Sequence, residues 1–433
     1  MKPAEGKLGV MAVGLGAVTT TFIVGTMMYR KNKGLPGGSV TQMAKIRVGR
    51  GENRRYLKMN EIVSMTDCRD MEFAAWDIFP ENAYESAINA RVLLEKDINP
   101  VKDELEKIQP LKAAFDPTYV SRLAGQGNNI KQGTRSEWVE QLREDIRNFK
   151  KRHGCNRIVV IWAASTEKFI DYCPEVHDHL SDFETAIRDN RCDVIAPSMC
   201  YAYATLMEGA AFVMGAPNIC VDIPAMWELA DKNGVPIAGK DFKTGQTLMK
   251  TVLSPMLRTR CLGLAGWFST NILGNRDGEV LDAPENFRTK EVSKLGVIDT
   301  ILRKEDQPEL YGDIFHKVRI NYYPPRGDAK EGWDNLDIFG WMGRDYGMQI
   351  KVDFLCRDSI LAAPLVLDLV LCSDLALRAG LKGTQRWMSF FLKSPMHDYT
   401  KGEEPIHDLF QQYTIFKNKV RELGGYEPDE EFE

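Results

Sequence analysis

A chain of 433 residues, 44% of them hydrophobic and 27% charged, can bury more core than one domain commonly holds, so two or three domains are expected. Its formal charge of −5, from 56 basic and 61 acidic side chains, provides no basic field and excludes nucleic acid or acidic lipid as partners drawn by bulk charge. Nine cysteines without a Cys-x-x-Cys pair suit the reduced thiols of a cytoplasmic enzyme.

Residues 8–28 are largely apolar and follow Lys7, as a signal peptide or membrane anchor would. Gly9, Gly14, Gly16 and Gly25 interrupt the run, and Thr19, Thr20 and Thr21 occupy its centre. A strand–turn–helix is the better reading, and no membrane partner is expected. Lys7–Val13 is the buried strand, Gly14-Leu15-Gly16 the turn, and residues 17–29 the helix. The turn is an imperfect dinucleotide fingerprint. Two glycines let backbone amides approach a pyrophosphate at the positive end of a helix. Thr19 stands at the third glycine, however, and no acid occupies the ribose position roughly 20 residues on. Taken alone, the motif fits a dinucleotide site and a merely tight turn equally.

Residues 35–60 are basic and glycine-rich and read as a surface excursion of open role. Apolar runs at 157–163, 194–196 and 235–238 alternate with amphipathic stretches at 137–152 and 181–190. That alternation predicts an α/β fold, a doubly wound and mostly parallel sheet. His177 and His179 flank Asp178 in a polar segment, which reads as an exposed loop rather than a metal site. No His-Glu-x-x-His, Walker loop or Gly-x-Ser-x-Gly is present.

Beyond Lys243 the character changes. Stretches 269–279 and 322–337 are crowded with Asn, Asp, Gly and Lys, as functional loops are, while 320–323 and 348–354 alternate as strands of a half-buried sheet. Residues 358–377 read as a long apolar helix returning to the first domain, and the acidic end, 428–433, is expected to fray. The expected division is a first domain over 1–243, completed by 356–433, and a second α+β domain over 244–355.

Chemistry-bearing residues concentrate in this second part. Asn271, Asn275 and Asp277 lie on a glycine-punctuated segment able to bond a nicotinamide, a sugar or a cation. Lys290 and Lys294 stand four apart and share a helix face, as they also would on a solvated surface helix. A Pro-Pro-Arg-Gly turn precedes Asp328 and Lys330 and would hold them in fixed directions. Lys393 ends an apolar stretch. Each lysine is ordinary alone, and only convergence would make the set a site.

At these residues the chain resembles the myo-inositol-1-phosphate synthase family over nearly its whole length. The strongest matches are NILGNRDG at 271–278, FRTKEVSKLGVID at 287–299 and PPRGDAK at 324–330. GKDFKTGQT at 239–247, CRDSILAAPLVLDL at 356–369 and FLKSP at 391–395 follow in the family's order. The resemblance implies a Rossmann-type domain built from the N-terminal portion and the returning C-terminus, with the second domain covering the site and mediating a homotetramer. It implies NAD as cofactor and glucose 6-phosphate as substrate. Oxidation at C5, enolisation, aldol closure and re-reduction would give 1D-myo-inositol 3-phosphate, an isomerisation with no net redox change.

Carried over by motif, Lys290, Lys294, Lys330 and Lys393 correspond to the family's active-site lysines. Its cofactor-binding segments fall at Gly14, Leu15, Gly16, Ala17 and Val18, at Asp77, and at Ala163, Ala164, Ser165 and Thr166. They continue at Gly215 and Ala216, at Asp241 and Thr244, at Asn275, Arg276 and Asp277, at Gly327 and Asp328, and at Asp358 and Ser359. Many members carry an Asn-Asn pair where Val18 and Thr19 stand, so pyrophosphate contacts are expected from backbone and from Thr19 and Thr20. Lys290 and Lys393 are assigned to the C5 oxygen, Lys294 and Lys330 to phosphate and the C1 carbonyl. Asp277 with Asp328 leaves room for a divalent cation or ammonium. The rivals are a conventional NAD-dependent dehydrogenase and a non-enzymatic NAD-binding regulator.

Overall fold

The computed structural model describes residues 2–429. Strand β1, Lys7–Val13, is buried along almost its whole length and ends at Gly14, whose φ of +92° favours glycine. The helix Ala17–Arg30 follows, so the apolar run at 8–28 is the strand–turn–helix expected. Strands β2 (Lys45–Val48) and β3 (Arg55–Lys58) form a small antiparallel hairpin within the basic excursion. That excursion is anchored rather than loose. Asp368, buried in the returning helix, accepts from the hydroxyls of Ser39 and Thr41 (2.5 Å each) and from the Val40 amide (2.6 Å). Arg47 pairs with Asp429 at 2.6 Å. The expectation of a frayed acidic end lies outside the described residues for 430–433.

Strands β4 (Met71–Asp77), β5 (Leu111–Lys112), β6 (Cys155–Trp162), β7 (Ala211–Met214) and β8 (Pro236–Gly239) build the main sheet with β1. The order is β13-β8-β7-β6-β1-β4-β5, parallel throughout, where β13 (Gly383–Thr384) comes from the C-terminal return. The chain leaves β1 towards β4 on one side and β6 on the other, so strand order reverses beside β1, where ligands bind in doubly wound sheets. Alternation sorts the core. Met11, Val13, Val160 and Trp162 face the helices Arg135–His153 and Pro197–Met207, while Val10, Ala12, Val159 and Ile161 face Ala17–Arg30 and Asp358–Arg378. The Arg135–His153 helix is bounded by a Thr134–Glu137 capping box and by Gly154 in the left-handed region.

Residues 194–196, expected as a strand, form a turn instead. Pro197 opens a helix there, and Ile195 and Ala196 are buried as its lead-in rather than in a ladder. The sheet takes β7 in that place.

A second sheet, ordered β10-β9-β11-β12, is mixed: β10 (Phe315–Tyr322) runs parallel to β9 (Gly263–Leu273), while β11 (Ala329–Gly340) is antiparallel to β9 and to β12 (Gly343–Arg357). The helices Gly245–Thr259 and Pro284–Asp299 cover its inner face through Leu257, Trp267, Ile298 and Leu336. The stretches read as loops at 269–279 and 322–337 are therefore mostly regular. β9 runs to Leu273, a helix spans Arg276–Leu281, and β11 begins at Ala329. Their polar residues misled because a strand paired on both sides still shows one face to solvent.

The Asp358–Arg378 helix is long and apolar enough to cross a membrane, but 67% of its most apolar stretch is buried inside the protein. Val366, Leu369 and Val370 pack beside Phe22 and Ile23, so the apolar character is accounted for by the core.

Candidate functional site

The cofactor cradle forms where β1, β4 and β6 end. A Cβ on Gly14 would come within 2.9 Å of Ala164 Cα, so the turn and the loop after β6 touch and exclude a side chain there. A Cβ on Gly16 would meet no protein atom within 4 Å. Gly16 is the N-cap of the Ala17–Arg30 helix, with no side chain capping it and no acid in the first turn. The free amides and helix dipole suit a pyrophosphate. The hydroxyls of Thr19 and Thr20 donate back to the carbonyls of Gly14 (2.6 Å) and Gly16 (2.9 Å) and brace the turn. Val18 is partly buried against the core behind the turn.

Asp77, carried over as a cofactor residue, lies beside the turn. It ends β4, the neighbour of β1, and accepts from the Leu15 amide at 2.5 Å and the Phe79 amide at 3.0 Å. The excursion between helix and β4 pushed it far along the sequence. Burial raises its pKa, and those amide bonds oppose the shift. Arg276 lies over the Phe79 ring at 4.0 Å, bringing the second domain to the same edge.

The loop after β6 joins cradle and lysines. The Ala163 amide donates to the Val13 carbonyl, Asn286 donates to the Thr166 carbonyl at 2.8 Å, and Thr289 donates to the Glu167 carbonyl at 3.0 Å. Ser165 lies between these anchored positions. Gly215 follows β7, where a Cβ would strike the Phe242 ring, and Ala216 beside it is buried. Asn286 and Thr289 sit on the Pro284–Asp299 helix, the helix that carries Lys290 and Lys294.

The four lysines converge, all buried. Lys290 and Lys294 lie one turn apart on that helix, as their spacing implied, but on a buried face. Lys330 points inward because alternation along β11 puts it on the covered face with Asp334 and Leu336. Lys393 is brought in by backbone bonds between 240–243 and 391–394, including Lys393 N to Asp241 O at 2.7 Å.

Two carboxylates organise the amines. Asp241 Oδ1 accepts from Lys290 (2.8 Å) and Lys393 (3.2 Å), and Oδ2 accepts from Ser293 (3.1 Å). Asp358 accepts from Thr244 (2.8 Å) and Lys330 (3.2 Å). Asp241, Thr244 and Asp358, carried over as cofactor residues, are thus placed against the lysines. Lys294 Nζ has no hydrogen-bond partner.

These contacts set the protonation states. Burial lowers every amine, but at Lys290 the charges of Asp241 and Asp277 outweigh it and hold the pKa above the ordinary value. At Lys330 burial is likewise outweighed by Asp358 and Asp277, leaving it raised. Burial brings Lys393 down to about 8 despite Asp241. Lys294 is lowered well below the usual value by burial and then by Lys330, Lys393, Lys250 and Lys290. Asp241 and Asp358 are held below the ordinary range, because the lysine charges overcome the cost of burial.

The turn before Lys330 has Gly327 at φ +54°, and Asp328 accepts from the Ser359 hydroxyl at 2.6 Å. Asn275 caps its own helix by accepting from the Gly278 amide at 3.1 Å. Asp328 is thereby engaged, and among the described residues no three His, Cys, Asp or Glu side chains converge as metal ligands. His177, expected on an exposed loop, is buried between the Cys173 amide and the Val194 carbonyl, 3.1 Å from each. Sequence reading missed Ser293, Ser394, Lys250 and His316, none of which carries a spacing signal.

Residues 8–421 match the family described as Myo-inositol-1-phosphate synthase. The chain is 61% identical to inositol-3-phosphate synthase 1 of Bacteroides thetaiotaomicron, over 99% of this chain and 98% of that protein. It is 33% identical to inositol-3-phosphate synthase 1 of Oryza sativa subsp. japonica, over 98% of this chain and 87% of that one. The crystal structure of inositol-3-phosphate synthase from Caenorhabditis elegans superposes with a TM-score of 0.90 at 28% identity, covering 98% of this chain and 87% of the other.

Proposed function

The chain belongs to the myo-inositol-1-phosphate synthase family, and from that premise we propose that it converts glucose 6-phosphate to 1D-myo-inositol 3-phosphate with NAD as a recycled cofactor. The observation that carries the mechanism is the uneven pairing of four converging lysines: two carboxylates serve three of them and leave Lys294 without a partner.

Held against the Gly14–Ala17 turn, NAD would supply a reversible hydride acceptor for C5 of the substrate, with no net release of reducing equivalents. The substrate phosphate is a dianion, and Lys330, kept as ammonium by Asp358, supplies a compact charge for it. Lys290, kept as ammonium by Asp241, donates to the C5 oxygen and stabilises the oxyanion as C6 loses its proton. Two proton acceptors are then needed, one for the C5 hydroxyl and one for C6. Lys393, brought down to about 8, and Lys294, lowered well below its ordinary value by burial and the neighbouring amines, are the amines that give up a proton most readily. This moves Lys294 from phosphate and the C1 carbonyl to proton transfer, and keeps Lys290 at the C5 oxygen with charge stabilisation as its part. A set this close titrates as a group.

Assembly as a homotetramer is supported by the uncovered outer face of the second sheet, where Phe268, Phe315, Trp333 and Leu355 are exposed. A cytoplasmic location is supported by nine cysteines that are all free thiols.

The test is incubation of purified protein with glucose 6-phosphate and NAD, following both inositol phosphate and NADH absorbance. Inositol phosphate without net NADH is expected. NADH accumulating in step with product would make the protein a conventional dehydrogenase, and NAD binding without turnover would make it a regulator.

A further inference from the structure

Behind the lysine cluster lies a second basic pair that the reaction as described does not use. Lys250, on the Gly245–Thr259 helix, is 1% exposed. Its amine lies 2.7 Å from His316 Nε2 on β10 and donates to the main-chain carbonyl of Lys294 at 3.3 Å. It also sits 5.8 Å from the centre of the Trp267 ring. A buried amine is costly to keep, and this one forms no ion pair within contact distance. Two of its neighbours are instead a histidine and the backbone of an active-site residue.

We infer that Lys250 is a positioning residue for the reaction: braced by His316, it fixes the turn of helix that carries Lys294 and sets a positive charge behind that residue's amine. The inference rests on Lys294 acting as a proton acceptor. Burial and then Lys250 lower His316 to about 3, so the imidazole is neutral and its Nε2 accepts from the ammonium. Burial lowers Lys250 itself to about 8, opposed by Asp334 on β11 and Asp299 at the end of the lysine helix. The groups bearing on Lys294 are Lys330 from β11, Lys393 from the C-terminal return, Lys250 from the helix behind, and Lys290 on its own helix. Of these, Lys330, Lys393 and Lys290 bond Asp358 or Asp241, leaving their charge partly compensated. Lys250 is the charge in the set without such a contact.

The test is the pH profile of kcat/KM in Lys250→Met, which reports the free enzyme. Losing the rear charge should raise the Lys294 pKa, moving the acid limb to higher pH by about 0.5–1 unit and lowering kcat/KM below the limb about three- to tenfold. Lys250→Arg should leave the limb near its original position. His316→Leu, which removes the brace and favours the neutral amine of Lys250, should move the limb in the same direction and serves if Lys250→Met does not fold. An unmoved limb, with or without reduced kcat, would overturn the inference, as would an equal shift in Lys250→Arg. Lys294→Met is measured alongside: if it retains turnover, the reading of Lys294 as a base fails; if it loses turnover while the limb stays fixed in Lys250→Met, only the inference fails.

Discussion

Asp241 Oδ1 lies 2.8 Å from the Lys290 amine, and the same oxygen lies 3.2 Å from Lys393. One carboxylate oxygen thus fixes two amines from different parts of the chain. Asp241 can reach both because it follows β8 at φ +64°, turning the side chain into the cluster.

Asp241→Asn removes the charge that compensates two buried ammonium groups. Breaking a buried pair by deleting one partner costs about 3–5 kcal/mol. Thermal unfolding should show that loss, with turnover falling as Lys290 gives up its proton more readily. A variant of unchanged Tm and full turnover would remove Asp241 as the organiser.

Lys294→Met should do the reverse to stability. Its amine has no partner and resists protonation, so an apolar side chain of similar length should leave Tm unchanged or higher. Turnover should fall by about 10²–10⁴-fold, the usual contribution of a general acid or base. Lost stability with retained turnover would mark Lys294 as structural.

Lys290→Ala should reduce kcat and kcat/KM together, because an interaction made with the developing oxyanion is lost, not a ground-state contact. A rise in KM alone would reassign Lys290 to substrate binding.

Stability should rise with pH near neutrality. Lys243 is lowered to about 7, and Lys250 and Lys393 to about 8, in each case by burial first. Between those values and the unfolded value of 10.5, the unfolded chain binds more protons than the folded one, so unfolding free energy increases with pH. Tm measured from pH 6.5 to 8.5 should climb, and Lys393→Met should flatten the slope. A falling Tm across that window would contradict the protonation states assigned to the buried amines.

Gly16→Val should fold, because its Cβ meets no protein atom within 4 Å, yet block approach of a pyrophosphate to the turn. Titration calorimetry with NAD should show binding abolished while Tm in the absence of NAD is retained. Unchanged NAD affinity would displace the cofactor from this turn.

Much of this was legible in one dimension. The period of apolar residues and the glycines of the first turn specified β1, its helix and a doubly wound sheet, because burial on both faces demands continuous apolar strands. Motif order pointed to the four lysines. Spacing could not show that Asp77 meets the Leu15 amide of the turn, since an anchored excursion of open length separates the two. Nor could it separate the lysines by charge. Lys290 and Lys294 are alike in the sequence, four residues apart on one helix, yet one bonds Asp241 and the other's amine has no hydrogen-bond partner. A pKa depends on burial and on charges within a few ångströms, and those charges arrive from β8, β11 and the C-terminal return, which only the folded chain brings together.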